Sequence, residues 1–476
     1  MQKRFQTKGK NLFFCLICMT FLSGCHMMPE PVTVFDSTAE APAPETDVQS
    51  DYEAEMENRE GFIGEEEYEQ NFTRPQVDSN IYVDLLGYTP EDQKYAYFVG
   101  DDLSDTFYVY ESATDRRVYS GTIKKMGNKK VDGKNVYRGD FTNITEPGVY
   151  YIQTAIIGQS YTFRIDEGRY ETQHSELAEE FLALSPGQYY GKTNTHVKRM
   201  KIYYSFQKLA TAYQFFGQSF DEEYEKKLEE HLQWLLELRQ EVLAERAGKE
   251  KPNYADPGAA EEQIVKEDYL FASAMATAYT LVQPYNAPLA GQSLSQAQKA
   301  YQNALRFKLT GDHQYMAAAA LFRASGNYSY HAVMKEAYTG KQTLAEANGY
   351  KSLSVDKEIL CDYVLWGNLF YMTATKGADL DICDKQMSEM MDLCGAYLSD
   401  SPRNAFGLIN DRETSLEKAI WLTMSDYIIV SREYRNVCKE QLHALVHDME
   451  EIYLSHEQKS TLLLILANLA ENEETE

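Results

Sequence analysis

Two periodicities divide the chain. From Ile81 to Asp166 apolar and polar positions alternate with period two. Gln159–Asp166 alternates cleanly, with Tyr161, Phe163 and Ile165 on one face and Thr162, Arg164 and Asp166 on the other. Thr106–Tyr110, Asn135–Arg138 and Gly148–Gln153 are similar short runs, and Asp132-Gly133, Pro147-Gly148 and Gly158 supply turn signals between them. Short strands at regular spacing predict a β-sandwich of about ninety residues. From Thr172 onward the apolar positions follow a helical period. Amphipathic stretches cover 172–184, 197–216, 222–247, 262–283, 295–308, 312–325, 328–338, 356–375, 381–399, 413–431, 434–453 and 456–470. They predict an all-helical second part with no convincing strand. An even dozen in sequence suggests paired helices closing into an (α/α)6 toroid. An α-solenoid is the competing architecture, but no fixed repeat period is visible. The chain thus reads as multidomain, β then α, with the sandwich over 79–167 and the helical domain over 168–476.

The first 78 residues follow neither pattern. Lys3, Arg4, Lys8 and Lys10 precede an apolar run from Leu12 to Leu22, which ends in Leu22-Ser23-Gly24-Cys25. A basic start, a short apolar core and a small-residue cut site describe a secretory signal, here 1–24. The run is too short to span a bilayer comfortably, and the late apolar stretch Leu462–Leu469 is shorter still. Leu-Ser-Gly-Cys resembles the bacterial lipobox. That resemblance implies cleavage before Cys25, acylation of its thiol, and an extracytoplasmic protein held to a membrane by acyl chains. Residues 25–78 are rich in Glu, Asp, Pro, Ser and Thr, which predicts a disordered acidic tether. Its r.m.s. reach is roughly 40 Å.

The formal charge of −27 disfavours nucleic acid and anionic lipid as partners and tolerates an uncharged ligand. It also keeps an exported protein soluble. Cys15 and Cys18 fall within the signal; Cys361, Cys383, Cys394 and Cys438 remain, without CxxC spacing. No zinc site is expected, and one disulfide or buried thiols are equally compatible with the spacing. His443 and His447 stand four apart, but no acidic residue follows the first, so they read as a surface pair. There is no GxSxG and no Gly-rich phosphate loop, so neither cofactor nor metal is expected. The 36 Tyr, 21 Phe and 3 Trp suit both core packing and stacking against sugar rings. Trp234, Trp366 and Trp421 fall within helices and read as core.

Val83–Pro90, Asp140-Phe-Thr, Pro147-Gly-Val-Tyr-Tyr and Ser160–Ile165 together resemble the immunoglobulin-like domain that precedes many family-9 glycoside hydrolases. Phe181–Gly187, Leu209–Phe216, Ala272–Tyr279 and Ala319–Tyr330 resemble helices of that family's catalytic toroid. The resemblance covers most of 80–472, thinly in the helical part. It implies an (α/α)6 toroid acting on β-1,4-glucans with inversion, and so a polysaccharide or oligosaccharide partner. Inversion needs a carboxylic acid and a carboxylate base roughly 6.5–9.5 Å apart. The family draws its base from Asp-Ala-Gly-Asp before the second long helix. Here Gly191-Lys192-Thr193-Asn194 occupies that place. An asparagine amide cannot take a proton from water, so Asn194 cannot be the base. The family's acid is a Glu opening the last inner helix. By chain order that is Glu457 in Ser455-His456-Glu457; by local similarity Glu417 in Ser415–Ile420 is the alternative. Either glutamate could equally be a solvated group favouring a helix start. Tyr189, Tyr190, Tyr203 and Tyr204 flank the altered turn, and Tyr189, Tyr190 and Tyr204 are candidates for stacking on substrate.

The family's loop bearing His-His-Arg between the last two helices has no counterpart, since Glu451 runs almost directly into Ser455. Three readings follow. The chain is a catalytically impaired surface glycan-binding protein, a pseudoenzyme of polysaccharide utilisation. Alternatively it is an altered inverting hydrolase using Glu457 with a base from elsewhere, such as Asp411 or Glu413. Or the toroid docks another protein.

Overall fold

The computed structural model describes residues 80–473 except 85–86, 156, 249–251, 255–256, 339–354, 357, 401–405, 407–414 and 448–454. The chain divides into two compact units, one of 91–164 with the residues before 84, the other of 84–90 and 165–476. Cys25, the tether, Asp411 and Glu413 lie outside the described residues.

The first unit is built of strands β1 (Ile81–Tyr82), β2 (Tyr95–Val99), β3 (Thr106–Glu111), β4 (Arg116–Val131), β5 (Lys134–Asp140), β6 (Gly148–Thr154) and β7 (Gly158–Gln159), with β8 (Phe163–Ile165) beside β6. The order is β1-β2-β5-β4-β3-β6-β7, antiparallel throughout. The long β4 serves two ladders: Arg116–Thr122 pairs with β3 and Ile123–Val131 with β5. Asp132 and Gly133 both take positive φ, 50° and 84°, in the two-residue turn joining β4 to β5. That backbone matches the twist of a hairpin, and Asp-Gly accommodates it. Phe98, Phe107, Val109, Val136, Phe141 and Ile152 are fully buried in the core. Phe107 fits only because β4 and β5 carry glycine against its ring: a Cβ at either Gly121 or Gly139 would lie 2.5 Å from it.

The second unit is helical: α1 (Arg169–Ala183), α2 (Pro186–Tyr190), α3 (His196–Phe215), α4 (Glu222–Ala247), α5 (Ala259–Val282), α6 (Ala287–Leu305), α7 (Asp312–Ser325), α8 (Tyr328–Tyr338), α9 (Tyr363–Met372), α10 (Leu380–Asp400), α11 (Ser415–Ile429), α12 (Arg432–His447) and α13 (His456–Glu473). Six of them, α3, α5, α7, α9, α11 and α13, form an inner ring. α3 packs on α5, α5 on α7, α7 on α9, α11 on α13, and α13 returns to α3, while α10 bridges α9 and α11. The inner helices are buried round most of their circumference; α9, for one, is buried from Tyr363 to Tyr371, while α3 and α5 bury charged residues as well. The outer helices show a single apolar stripe. In α6 it runs Leu289, Ser293, Ala297, Ala300, Tyr301, Ala304. The toroid expected from the sequence is therefore present.

Three local expectations need correction. The helix expected from 295 begins eight residues earlier, because Pro288 stands in its first turn behind the Asn286 cap, where a missing N–H costs nothing. The helix expected from 356 begins at Tyr363, because Val355–Asp356 and Cys361–Asp362 form a small antiparallel pair, β9 and β10. The helical part thus does contain strands. Cys361, Cys383, Cys394 and Cys438 form no disulfide, one of the two outcomes their spacing allowed, and burial pushes the Cys394 and Cys438 thiols up to about 12, so both behave as small apolar side chains.

One glycine sets the spacing of the ring. At Gly367 on α9 an added Cβ would lie 2.4 Å from the Tyr315 ring of α7. That ring cannot swing aside, since its hydroxyl bonds Asn368 Oδ1 at 2.5 Å and Gln386 Nε2 at 2.7 Å. Gly367→Ala is expected to cost about 1–3 kcal/mol by overpacking, read as a lower urea midpoint; an unchanged midpoint would mean that the two helices are free to part.

Candidate functional site

The inner helices start at one end of the ring, its mouth. At α3 the chain leaves α2 through Gly191, at φ 69°, and reaches the N-cap Thr195, whose hydroxyl accepts from Lys198 N at 3.2 Å. Arg199 Nη1 donates to Thr193 O at 3.1 Å and holds the turn down. Lys198 Nζ reaches Asn194 Oδ1 at 3.4 Å, and Lys192 and Asn194 are exposed. From Gly191 to Lys198 the turn carries amide, hydroxyl, imidazole and ammonium groups and no carboxylate.

Glu457 stands in the first turn of α13, behind a Ser455/Gln458 capping box. Its Oε1 lies 3.2 Å from Lys201 Nζ of α3. Two turns further along α3, Lys208 Nζ donates to the Glu457 carbonyl at 2.8 Å and to Thr461 Oγ1 at 2.6 Å. Burial alone would raise the Glu457 carboxyl. His456, the Ser455 hydroxyl, a backbone N–H and Lys201 outweigh it and hold the group at about 2. His456 is itself pulled down to about 4 by burial. These neighbours favour the ionised form of the Glu457 carboxyl. Glu417 falls in the first turn of α11; its side chain lies outside the described residues.

The three tyrosines expected at a sugar surface are core residues instead. Tyr204 is fully buried, its hydroxyl taken by Trp366 Nε1 at 2.8 Å, and Lys208 Nζ sits 4.3 Å from its ring centroid. Tyr189 and Tyr190 are buried against His231 at 5.8 and 5.2 Å and against His456 at 6.4 and 5.5 Å. Tyr190 also stacks on half-buried Trp234. None of the three has an open ring face. Their spacing matched a surface stripe and a core stripe equally; α4 covers Tyr189 and Tyr190, and Trp366 of α9 covers Tyr204. Six polar atoms in this cluster have no hydrogen-bond partner: the Tyr189, Tyr190 and Tyr224 hydroxyls, both His231 nitrogens and His456 Nε2.

The group that sequence reasoning missed is a buried charge network beside the altered turn. Glu267 and Asp268 of α5 are 0% and 1% exposed. Arg199 Nε and Nη2 bond Glu267 at 2.8 and 3.0 Å, and Arg246 Nη2 lies 2.9 Å from it. Asp268 Oδ1 takes Arg239 Nη1 at 2.8 Å and Arg246 Nη1 at 2.7 Å. His196, at the start of α3, contacts Glu267 through Nδ1 and keeps 35% of its side chain exposed. Burial would raise the Glu267 carboxyl, but hydrogen bonds from His196 and Arg199 and the Arg246 charge hold it at about 2. The signal was present in the sequence: Glu267-Asp268 interrupts a run that is apolar from Tyr269 to Ala278 but for Ser273 and Thr277. Among the described residues no group of three or more His, Cys, Asp or Glu could hold a metal ion, and no helix is long and apolar enough to cross a membrane.

Residues 76–159 match the family described as the cellulase N-terminal ig-like domain. Over 96 residues the chain is 32% identical to endoglucanase D of Acetivibrio thermocellus, a match covering 20% of this chain and 15% of that protein's length. Among solved structures, a metagenome-derived glycoside hydrolase family 9 endoglucanase superposes with a TM-score of 0.59 at 14% identity, over 82% of this chain and 98% of its own. A Bacteroides ovatus family-9 protein gives 0.58 at 13%, over 84% and 100%. The fold is that of family-9 endoglucanases. An N-terminal immunoglobulin-like domain precedes an (α/α)6 toroid, in the order expected from the sequence. At such identities the likeness carries the architecture and leaves the chemistry of the mouth to its own residues.

Proposed function

We propose that this chain is a surface lipoprotein that keeps the family-9 endoglucanase fold but binds an uncharged glycan rather than cutting it. One observation carries the reading: Glu457, the candidate acid by chain order, lies 3.2 Å from Lys201 Nζ in an ion pair that favours its carboxylate form. The turn at 191–194, which offers lysine and amide in place of carboxylates, supports it. Without a proton donor the leaving oxygen of a glycosidic bond departs unprotonated, and without a base the attacking water is not activated. A β-glucan is the ligand class suggested by the names of the relatives, and the charge of −27 tolerates a neutral polymer better than an anionic one.

The test uses the full chain with a soluble β-glucan and cellotetraose, following reducing ends and, separately, binding by calorimetry. Binding with no more hydrolysis than buffer is expected, and Glu457→Ala should leave reducing-end release at that same background. Turnover that disappears in Glu457→Ala would overturn the non-hydrolytic reading. A hydrolase with a substitute base has one observation in its favour, the partly exposed His196 held by Glu267; turnover lost in His196→Gln would establish it. The anchor is tested by fatty-acid labelling, expected in the parent and absent in Cys25→Ser.

A further inference from the structure

The inner helices end on the face away from the mouth, and aromatic rings gather there. Phe215 closes α3, and Tyr427 in the last turn of α11 stacks flat on it, with centroids 4.5 Å apart and planes 10° apart. Phe216 meets the Tyr427 ring edge-on at 5.6 Å. Tyr427 remains 40% exposed and Tyr328 66%. Among these rings lies Arg323 of α7, its guanidinium 5.3 Å from the Phe215 centroid and 5.8 Å from Phe370. Nη1 donates to Gln214 Oε1 at 3.0 Å. Gln214 Nε2 is in turn spent on Thr277 O and Thr280 Oγ1. Among the described residues no carboxylate pairs with Arg323. Burial lowers its pKa to about 10, with Tyr427 working the other way. Four of its five N–H donors are therefore unclaimed by the hydrogen bonds of this patch.

The charge of the surroundings selects the ligand. Helix C-termini carry partial negative charge and unpaired carbonyls, and several converge here. An anion would meet those carbonyls and the −27 chain; a cation would meet Arg323. A neutral ring rich in hydroxyls suits both, since it accepts from the guanidinium, donates to carbonyls and lays its C–H face on tyrosine. We propose that Tyr427, Phe215 and Arg323 form a carbohydrate-binding platform for an uncharged pyranose ring, on the helix-end face rather than at the mouth. It rests on the glycan-binding reading and gives that reading a location.

The experiment titrates cellotetraose into the full chain by calorimetry, with Tyr427→Ala, Tyr427→Phe and Arg323→Lys beside it. Thermal unfolding confirms that each variant is folded. Tyr427→Ala should weaken binding by about tenfold, or 1.4 kcal/mol. Tyr427→Phe, which keeps the ring, should stay within about twofold, and Arg323→Lys, which loses the planar fork, should fall between them. If Tyr427→Ala binds as the parent does, the platform is wrong while glycan binding stands. If the parent binds neither cellotetraose nor the xylan and mannan tetramers, platform and reading fail together. A dimer in sedimentation that Tyr427→Ala dissociates would mean that a second copy covers this face, and that too overturns the platform.

Discussion

Replacing His231 by phenylalanine is expected to protect the helical domain against acid. His231 is fully buried, both ring nitrogens lack partners, and burial with help from Lys227 pulls its pKa to about 3. Its unfolded value is near 6.5. The folded pKa is the lower one, so between these values the unfolded chain binds the extra proton. Stability is therefore complete above about pH 6.5 and is lost as the pH falls toward 3. At pH 5.5 the shift amounts to about 1.4 kcal/mol for this one residue. His174, His313 and His456, each lowered to about 4 by burial, act in the same direction. The urea midpoint of the parent should thus fall steeply between pH 7.5 and 5.5. In His231→Phe the fall should be smaller by about 1.4 kcal/mol, with little change at pH 7.5. The phenyl ring keeps the contacts with Phe181 at 4.5 Å and Tyr190 at 5.2 Å and leaves no orphaned nitrogen. Equal losses in the two proteins would show that His231 takes no part in the acid limb.

The architecture was legible because burial leaves a period in the sequence. A strand covered on one side must alternate, and an outer helix must carry a stripe; both patterns survive in Phe163–Ile165 and in α6, though Tyr161, expected on the same face as Phe163, lies outside the strand and is exposed. Errors fell where local chemistry masks the period. Pro288 looks like a stop and is a start. Val355–Asp356 and Cys361–Asp362 are too short for any period to show. The site was less legible. Which face of α3 an aromatic occupies follows from its spacing, but what covers that face does not, and Tyr204 proved to face Trp366. The ion pair of Glu457 could not be read from Ser455-His456-Glu457 either, because its partner Lys201 sits on a helix some 250 positions away in sequence.

The largest single effect is expected at Glu267. Glu267→Gln keeps the shape of the side chain and removes its charge, and it should cost about 3–5 kcal/mol, because Arg199 then lies buried against an amide and Arg246 is left to share the Asp268 carboxylate with Arg239. Desolvation decides the size: two guanidiniums brought out of water are tolerated only while a carboxylate faces them. Arg199→Met should cost less, since Arg246 still faces Glu267 and Asp268. The double variant should cost clearly less than the sum of the two single changes, because removing both members of a buried pair leaves fewer uncompensated charges than removing one. Urea unfolding of the four proteins closes this cycle. Additive costs would mean that the Arg199–Glu267 contact contributes nothing of its own. The same variant separates structure from chemistry at the mouth. If His196 owes its position to Glu267, its imidazole resonances should move in Glu267→Gln even where the protein remains folded. Resonances that stay in place would assign the whole network to holding α3, α4 and α5 together.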